Sequence, residues 1–230
     1  MKTVAIIPAG GTGKRMGGGI PKQYLLLAGT PILAYTLRAF QASPLVDEVL
    51  LAVPEGDIGE VRRKVVECHG LTRVGCVLAG GQERQDSVRN ALAHVDGGCG
   101  MVVIHDGVRP FVSADVIERV IVAAGKFGAA SAGLPVRDTV KEADPAGRVL
   151  KTVPREGLWL TQTPQAFLRD VIFGAYEQAA ADGFYGTDDA SLVERMGLPV
   201  RMIMGDPENI KVTTPEDLIQ GERILYRRRG

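Results

Sequence analysis

The sequence lacks several features that mark large classes of proteins. Its 27 basic and 27 acidic residues give a formal net charge of zero. A general nucleic-acid or membrane-surface binder needs a basic excess, so neither partner is expected. No apolar run approaches the roughly 20 residues of a membrane span, and the run at residues 4–7 is too short for a signal-peptide core. These absences predict a cytoplasmic protein.

Cysteine is also scarce. The three residues Cys68, Cys76 and Cys99 are odd in number and lack the spacing of a metal site. They are expected to be buried or half-buried free thiols in a reducing compartment. His69 lies beside Cys68, but two adjacent ligands do not make a site, so a structural role is expected for this pair.

The motifs of covalent catalysis and of protein-held metals are missing as well. The sequence contains no G-x-S-x-G, no H-E-x-x-H, no paired-cysteine metal motif and no D-x-D. A reaction without a protein nucleophile or an evident base suggests a phosphate that attacks another phosphate, because a phosphate monoester is already an anion. Its difficulty is repulsion, about 4 kcal/mol for two unit charges 4 Å apart at an effective dielectric of 20. Lysine, arginine and Mg²⁺ would offset that repulsion.

Short β-branched runs alternate with helical patterns along most of the chain. The pattern predicts strands at residues 4–7, 49–53, 74–78, 102–105 and 129–136. Nearly every strand residue is apolar, which indicates strands covered on both faces. We therefore predict an α/β fold, an open, mostly parallel Rossmann-like sheet with helices on both faces. The length of 230 residues suits a single domain over residues 1–230.

Helix-start signals and later strands complete this outline. Thr30 and Pro31 are predicted as N-cap and first residue of one helix, and Thr214 and Pro215 have the same roles in the last helix. A further helix is expected near residues 169–182. Strands are expected at residues 200–204 and 209–212. In the second of these, Lys211 points either to solvent or into a ligand cleft, and its spacing does not decide between them.

The alternation breaks at a polar stretch, residues 137–160, which we interpret as a protruding β-ribbon arm. Asp144, Pro145 and Gly147 fit a type I turn at its tip. An isolated two-stranded ribbon is marginally stable in water, so a second copy of the chain is the simplest cover for it. The alternative is a loose surface excursion.

The stretch PAGGTGKRMGGGIPKQY, residues 8–24, follows the first predicted strand. Counting back five from Gly13 reaches Pro8, and Arg15 stands where a Walker A loop needs a hydroxyl. A dinucleotide fingerprint fails too. What remains is a glycine-rich turn whose N–H groups can approach an anion, with Arg15 and Lys22 as added cations. The alternative is a flexible surface loop. Residues 17–19 would let the Lys22 end close over a triphosphate.

Two further strand ends are expected to meet this loop, because parallel strands bind ligands beyond their carboxyl ends. One is the Ala79-Gly80-Gly81 stretch. The other, HDGVRP at residues 105–110, places Asp106 where it could hold Mg²⁺. Arg109 follows on a turn. The alternative is an Asp–Arg pair that only fixes a loop.

These stretches, taken in order, resemble the 2-C-methyl-D-erythritol 4-phosphate cytidylyltransferases of the non-mevalonate isoprenoid pathway. The similar stretches are PAGGTGKRM…PKQY, GGQERQDSV, HDGVRP, VRDTVK, TPQAF, TDDAS and NIKVTTPEDL. The resemblance implies that CTP and methylerythritol phosphate give CDP-methylerythritol and pyrophosphate with Mg²⁺. It also implies a homodimer in which the arm of one subunit crosses to the other.

The resemblance also implies roles for individual residues. The catalytic residues would be Arg15, Lys22 and Lys211, and the metal ligand Asp106. With Gly11 and Arg109 from the loop and turn above, the substrate-binding set is Ala9, Gly10, Gly11, Gly81, Ser87, Asp106, Arg109, Thr139 and Arg155. In this set Thr139 and Arg155 would hold the methylerythritol phosphate in the partner's site.

The sequence departs from the family pattern at a few positions, and two other functions remain compatible with it. Family members often have alanine at Gly10 and Gly107 and an acidic residue at Pro154. One rival is a cytidylyltransferase for another polyol phosphate, such as ribitol 5-phosphate, which would share the CTP loop. The other is a non-catalytic nucleotide-binding protein, against which the convergence of cations argues.

Overall fold

A computed structural model describes residues 1–11 and 21–229 of the chain, and the structural statements below refer to them. Arg15 and residues 17–19, to which the sequence assigned roles, lie outside the described residues. Within the described part, no helix is both long and apolar enough to cross a membrane.

A seven-stranded sheet forms the centre of the described structure, in the order β11-β7-β10-β6-β1-β4-β5. The strands are β1 (Lys2–Pro8), β2 (Leu26–Leu27), β3 (Thr30–Pro31), β4 (Glu48–Val53), β5 (Val74–Ala79), β6 (Cys99–Ile104), β7 (Ala129–Pro135), β8 (Val140–Ala143), β9 (Val149–Val153), β10 (Trp159–Leu168) and β11 (Arg201–Met204). In the large sheet the described pairings are parallel except those of β10, which runs antiparallel to β6 and β7.

The helices cover both faces of this sheet. They are α1 (Ile32–Ala42), α2 (Ile58–Val61), α3 (Arg84–Leu92), α4 (Ala114–Phe127), α5 (Arg169–Ala181), α6 (Asp189–Arg195) and α7 (Pro215–Arg229). Alternate residues of β1 enter two separate apolar cores: Ala5 and Ile7 pack with α1 and α4, and Val4 and Ile6 pack with α3 and α5. Continuous apolar strands are buried on both sides, which confirms the predicted fold class.

Most predicted elements are confirmed, but strand β10 was missed and two predictions are wrong. Pro164 interrupts β10, whose register with β7 breaks between Thr161 and Gln165, so its sequence does not read as a strand. Residues 209–212 form no strand: the amides of Asn209 and Ile210 donate to carbonyls within the same turn, at Asp206 and Glu208, and the Val212 amide donates to the Val108 carbonyl at 2.8 Å as a single bond outside any strand pairing. The segment Thr30–Pro31 forms β3, and helix α1 begins at Ile32.

The capping prediction at the last helix is confirmed, while the cysteine prediction is partly wrong. The Thr214 hydroxyl accepts the Asp217 amide at 3.4 Å, and the Asp217 carboxylate in turn accepts the Thr214 amide at 2.9 Å. These bonds satisfy amides at the start of α7, whose first residue is Pro215. All three cysteines are free, and Cys99 is buried, but Cys68 is exposed.

The predicted ribbon is present as a separate two-stranded sheet of β8 and β9, but the last two residues of the predicted arm, Trp159 and Leu160, belong to β10 and pair with β7. At its tip the Gly147 amide donates to the Asp144 carbonyl at 2.9 Å, as a type I turn requires. The arm carries exposed apolar side chains at Val149, Leu150 and Leu160.

Candidate active site

The three strand ends that the sequence singled out line one cavity of about 460 Å³. This volume falls in the range of small-molecule sites, about 300–1,000 Å³. The cavity lies beyond the carboxyl ends of β1, β5 and β6, where open α/β sheets bind ligands. Eight predicted site residues line it: Ala9, Gly10, Gly11, Lys22, Gly81, Ser87, Asp106 and Lys211.

Glycine is needed at one of these strand ends and is replaceable at another. A Cβ added at Gly81 would lie 2.2 Å from Cβ of Asp86, which the backbone of α3 holds in place. A Cβ added at Gly10 would lie 3.7 Å from Oγ of Ser87, an ordinary contact. An alanine, which the resemblance leads one to expect at this position, therefore fits at Gly10. At Gly107 an added Cβ would be 3.0 Å from Cβ of Ala9, so alanine there would require a small shift.

The hydroxyl of Ser87 is occupied by the backbone of the same loop. Its Oγ accepts the Gly81 amide at 3.0 Å and donates to the Glu83 carbonyl at 3.2 Å. Ser87 is only 2% exposed. The side chain therefore shapes the loop between β5 and α3 and is not available as a nucleophile in this arrangement.

Lys22 stands at the rim of the cavity, next to the glycine-rich turn. It opens a short 3₁₀ turn, Lys22–Tyr24, and its Cε would be 3.4 Å from a Cβ placed on Gly11. Its partner cation in the prediction, Arg15, lies outside the described residues. The described end of the loop therefore brings at least one of the two predicted cations to the cavity.

Asp106 is surrounded by three cationic side chains. Its Oδ1 accepts from Nε of Arg84 at 2.8 Å, and its Oδ2 lies 2.9 Å from Nζ of Lys211. Nε of Arg109 is 3.6 Å from the same Oδ2, beyond hydrogen-bond distance. Burial favours the neutral acid, but Arg84, Lys211 and Arg109 hold the pKa of the Asp106 carboxyl well below its usual range. Asp106 is therefore an anion throughout the physiological pH range.

Arg84 is the site residue that sequence reasoning missed. It is the first residue of α3, and it bridges Asp106 to Asp189, which accepts from its Nη2 at 2.7 Å. Burial opposes its charge, yet the two carboxylates raise the pKa of Arg84 well above its ordinary value. The available signal was its place three residues after Gly81, at a helix start beside a strand end.

Arg109, predicted to bind substrate, lies behind Asp106 and does not line the cavity. Its Nη1 donates to the Asn209 carbonyl at 2.8 Å, and Nδ2 of Asn209 donates to the Thr163 carbonyl at 2.7 Å. These bonds tie the segment before Lys211 to strand β10. Lys211 lines the cavity and its Nζ lies 2.9 Å from Oδ2 of Asp106. Of the two directions left open by the sequence, Lys211 therefore takes the one into the ligand cleft.

His105 is a fully buried neutral imidazole next to this site. Its Nε2 lies 3.1 Å from the Arg109 carbonyl, which can only accept, so Nε2 carries the proton. Its Nδ1 then accepts from the Thr163 hydroxyl at 3.0 Å, and Thr163 Oγ1 in turn accepts the Asp106 amide at 3.1 Å. Burial lowers the pKa of His105 to about 3.

We expect His105 to make the fold acid-sensitive. Above its unfolded pKa near 6.5, both states are neutral and the free energy of unfolding is unaffected. Below it, only the unfolded chain binds the proton, so stability falls by up to ~1.4 kcal/mol per pH unit, or ~2 kcal/mol between pH 8 and 5. Urea unfolding at several pH values measures this loss. His105→Gln should remove this contribution and exposed His94→Asn should keep it; equal pH dependence in all three would contradict the assignment.

Thr139 and Arg155 do not line the cavity. Both side chains are exposed, and Arg155 donates a hydrogen bond to the Arg137 carbonyl at the base of the arm. The described chain therefore does not join these two predicted residues to the other eight.

The donor set of the cavity suits a metal that arrives with its own oxygen ligands. No group of three or more histidine, cysteine, aspartate or glutamate side chains gathers in the described residues. Mg²⁺ commonly takes one or two carboxylates and completes its shell with water and substrate phosphates. Asp106 lines the cavity, and its Oδ2 is held by Lys211, whose side chain is 39% exposed and has room to move. The residues therefore fit such an ion if Lys211 releases that oxygen.

The sheet and this cavity place the chain among the α/β nucleotidyltransferases. Residues 3–227 match the family described as IspD: 2-C-methyl-D-erythritol 4-phosphate cytidylyltransferase. The chain is 52% identical to a protein of that name from Syntrophus aciditrophicus (strain SB), over 100% of this chain and 98% of the relative. It is 50% identical to one from Geotalea uraniireducens (strain Rf4), over 98% and 97%. The chain therefore belongs to this cytidylyltransferase family of the non-mevalonate isoprenoid pathway.

Solved structures agree with this assignment. A crystal structure of 4-diphosphocytidyl-2C-methyl-D-erythritol synthase from Anaerococcus prevotii DSM 20548 superposes with a TM-score of 0.87 at 30% identity, covering 98% of this chain and 96% of that one. The 2-C-methyl-D-erythritol 4-phosphate cytidylyltransferase of Thermus thermophilus gives 0.81 at 34% identity, covering 98% and 100%. The predicted family and fold class are confirmed.

Proposed function

We propose that the protein transfers the CMP moiety of CTP to 2-C-methyl-D-erythritol 4-phosphate by direct in-line attack. An oxygen of the substrate phosphate forms a bond to the α-phosphorus of CTP. The bond from that phosphorus to the β-phosphate oxygen breaks, and pyrophosphate leaves with the electron pair. The products are CDP-methylerythritol and pyrophosphate.

The observation that carries this proposal is a cavity lined by cations, whose one described hydroxyl is already hydrogen-bonded to the loop backbone. Ser87 is the one hydroxyl among the described lining residues, and the loop backbone occupies it. Arg84, Lys22 and Lys211 supply positive charge to the same space. Preorganised cations stabilise the charge that develops at the crowded phosphorus, and the attacking phosphate needs no base.

Each predicted residue has a place in this reaction. Lys22, with Arg15 from the loop, neutralises the triphosphate and stabilises the five-coordinate α-phosphorus, and Lys211 turns from Asp106 to the reacting phosphates. The predicted cytosine- and ribose-binding residues are Ala9, Gly10, Gly11, Gly81 and Ser87. We assign Arg109 to the support of Asp106 and of the segment before Lys211, because its side chain lies behind that carboxylate.

We also propose a divalent cation, Mg²⁺, as the cofactor, held by Asp106 together with the phosphates and water. Bound there, it would neutralise the phosphates and stabilise the leaving pyrophosphate. Two cations, Arg84 and Lys211, already contact Asp106, so the ion is favoured only together with the negative triphosphate.

We propose that residues 1–230 form a single nucleotidyltransferase domain whose arm, residues 137–160, makes the homodimer. The ribbon of β8 and β9 exposes Val149 and Leu150, each more than half accessible. An isolated ribbon of this kind gains stability when a second copy covers it. Thr139 and Arg155 would then bind the polyol phosphate in the partner's site. Reaction in the cytoplasm is part of the same proposal.

Release of pyrophosphate tests the function directly. With CTP, Mg²⁺ and methylerythritol phosphate, we expect turnover that is lost when the polyol phosphate is omitted. Ribitol 5-phosphate is the matched control substrate, and its kcat/KM should be ~10²-fold lower, since it lacks the methyl branch and is one hydroxylated carbon longer. A higher kcat/KM for ribitol 5-phosphate would overturn the substrate assignment. CTP binding without pyrophosphate release would favour a nucleotide-binding protein.

A further inference from the structure

We propose that Arg84, anchored by Asp189, is a positioning residue that holds the Asp106 carboxylate in the orientation needed for nucleotidyl transfer. This inference rests on the proposed function. It deepens that function by assigning a role to the TDDAS stretch, whose residues lie far from the nucleotide loop in sequence.

The anchor of Arg84 is rigid on the side away from the cavity. Asp189 is 1% exposed and its Oδ1 accepts from the Tyr176 hydroxyl at 2.6 Å. Its backbone amide donates to Oε1 of Gln165 at 3.1 Å, and the same oxygen accepts the Ala190 amide at 3.1 Å. Gln165 in β10 therefore holds the backbone at the start of α6, and Tyr176 in α5 holds the Asp189 carboxylate itself.

Arg84 transmits that fixed position to the cavity. Its guanidinium spans the two carboxylates, with Nη2 on Asp189 and Nε on Oδ1 of Asp106. The planar group presents its donors at fixed angles, which a lysine cannot reproduce. Oδ1 of Asp106 is thereby held, and Oδ2 is left to Lys211, with Arg109 further away. Without Arg84 the carboxylate is free to turn, so Lys211 would no longer start from a defined place.

A role through charge alone makes a different prediction, because the two partners of this bridge carry opposite charges. Arg84→Gln removes one positive charge near the triphosphate, and Asp189→Asn removes one negative charge. If charge alone mattered, the second change would strengthen CTP binding and leave kcat unchanged or higher. If position matters, both changes lower kcat.

The experiment measures kcat, KM and the CTP dissociation constant with Mg²⁺ for Arg84→Gln, Arg84→Lys, Asp189→Asn and the double variant Arg84→Gln/Asp189→Asn. We expect kcat to fall ~10–10²-fold in Arg84→Gln and Arg84→Lys, the usual range for a lost charged hydrogen bond. Asp189→Asn should lower kcat ~10-fold while CTP binding stays equal or becomes tighter. The double variant should be no worse than Arg84→Gln, because the two side chains act through one another.

The matched control is Arg89→Gln, on the same helix, which removes an arginine that is half exposed and pairs with Asp86. It should keep the wild-type kcat. Thermal unfolding reports whether each variant is folded, and Asp189→Asn, which preserves the shape of the side chain, stands in if Arg84→Gln does not fold. Wild-type kcat in Asp189→Asn or Arg84→Lys, or additive losses in the double variant, would overturn the positioning role of Arg84 but leave the proposed function standing. Absence of pyrophosphate release by the wild type would overturn this role and the proposed function together.

Discussion

Lys22→Ala should lower turnover ~10²–10³-fold with little effect on folding. The loss of one preorganised charge contact in the transition state has this size in other enzymes. Lys22 lines the cavity at its rim, so truncation leaves the two apolar cores beside β1 untouched. The measurement is kcat for pyrophosphate release, together with the midpoint of thermal unfolding.

Two variants make this result interpretable. Lys64→Ala removes a lysine from an exposed pair with Glu60 on the helical segment after β4 and should keep wild-type turnover. Lys22→Arg keeps the charge with a different shape and should recover part of the lost rate. If well-folded Lys22→Ala turned over at the wild-type rate, the catalytic role of Lys22 would be wrong.

The position of the site could be predicted from the sequence because ligands bind beyond the carboxyl ends of parallel strands, and this rule depends only on the topology of the sheet. Parallel strands place their carboxyl ends at one edge, so Gly10, Gly81 and Asp106 had to approach one another once the sheet was recognised. Because the glycine-rich stretch does not fit the P-loop pattern, Lys22 was predicted as one of its phosphate-binding cations, and Lys22 lines the cavity.

The sequence did not predict the bridge from Asp106 through Arg84 to Asp189. Arg84 and Asp189 are 105 positions apart, and their contact depends on how β10 and α6 pack. Local periodicity carries no information on such a pair. Lys211 shows the same limit: alternation in an assumed strand left its direction open, whereas the structure orients it through the bonds of Asn209 to Arg109 and Thr163.

Arg155→Ala should raise the KM for the polyol phosphate ~10–10²-fold and leave the KM for CTP near its wild-type value. The expected size is that of one lost charged hydrogen bond to a phosphate. Arg155 is exposed and outside the lining of its own chain's cavity, so truncation should not disturb the CTP site. Arg148→Ala, in the exposed tip of the same arm, is the control and should keep both KM values.

Mixed dimers decide whether the arm acts on its own chain or on the partner. In an Arg155→Ala and Lys22→Ala heterodimer, an arm acting in trans gives one site with both residues intact and one with neither. Random reassociation makes about half of the dimers mixed, so about a quarter of all sites recover activity at low polyol phosphate; purified heterodimers recover about half. Each parent homodimer has only defective sites. An arm acting in cis leaves every site in the mixture defective. Mass spectrometry shows whether the subunits have exchanged. If they have exchanged and mixing restores no activity, the arm does not cross to the partner.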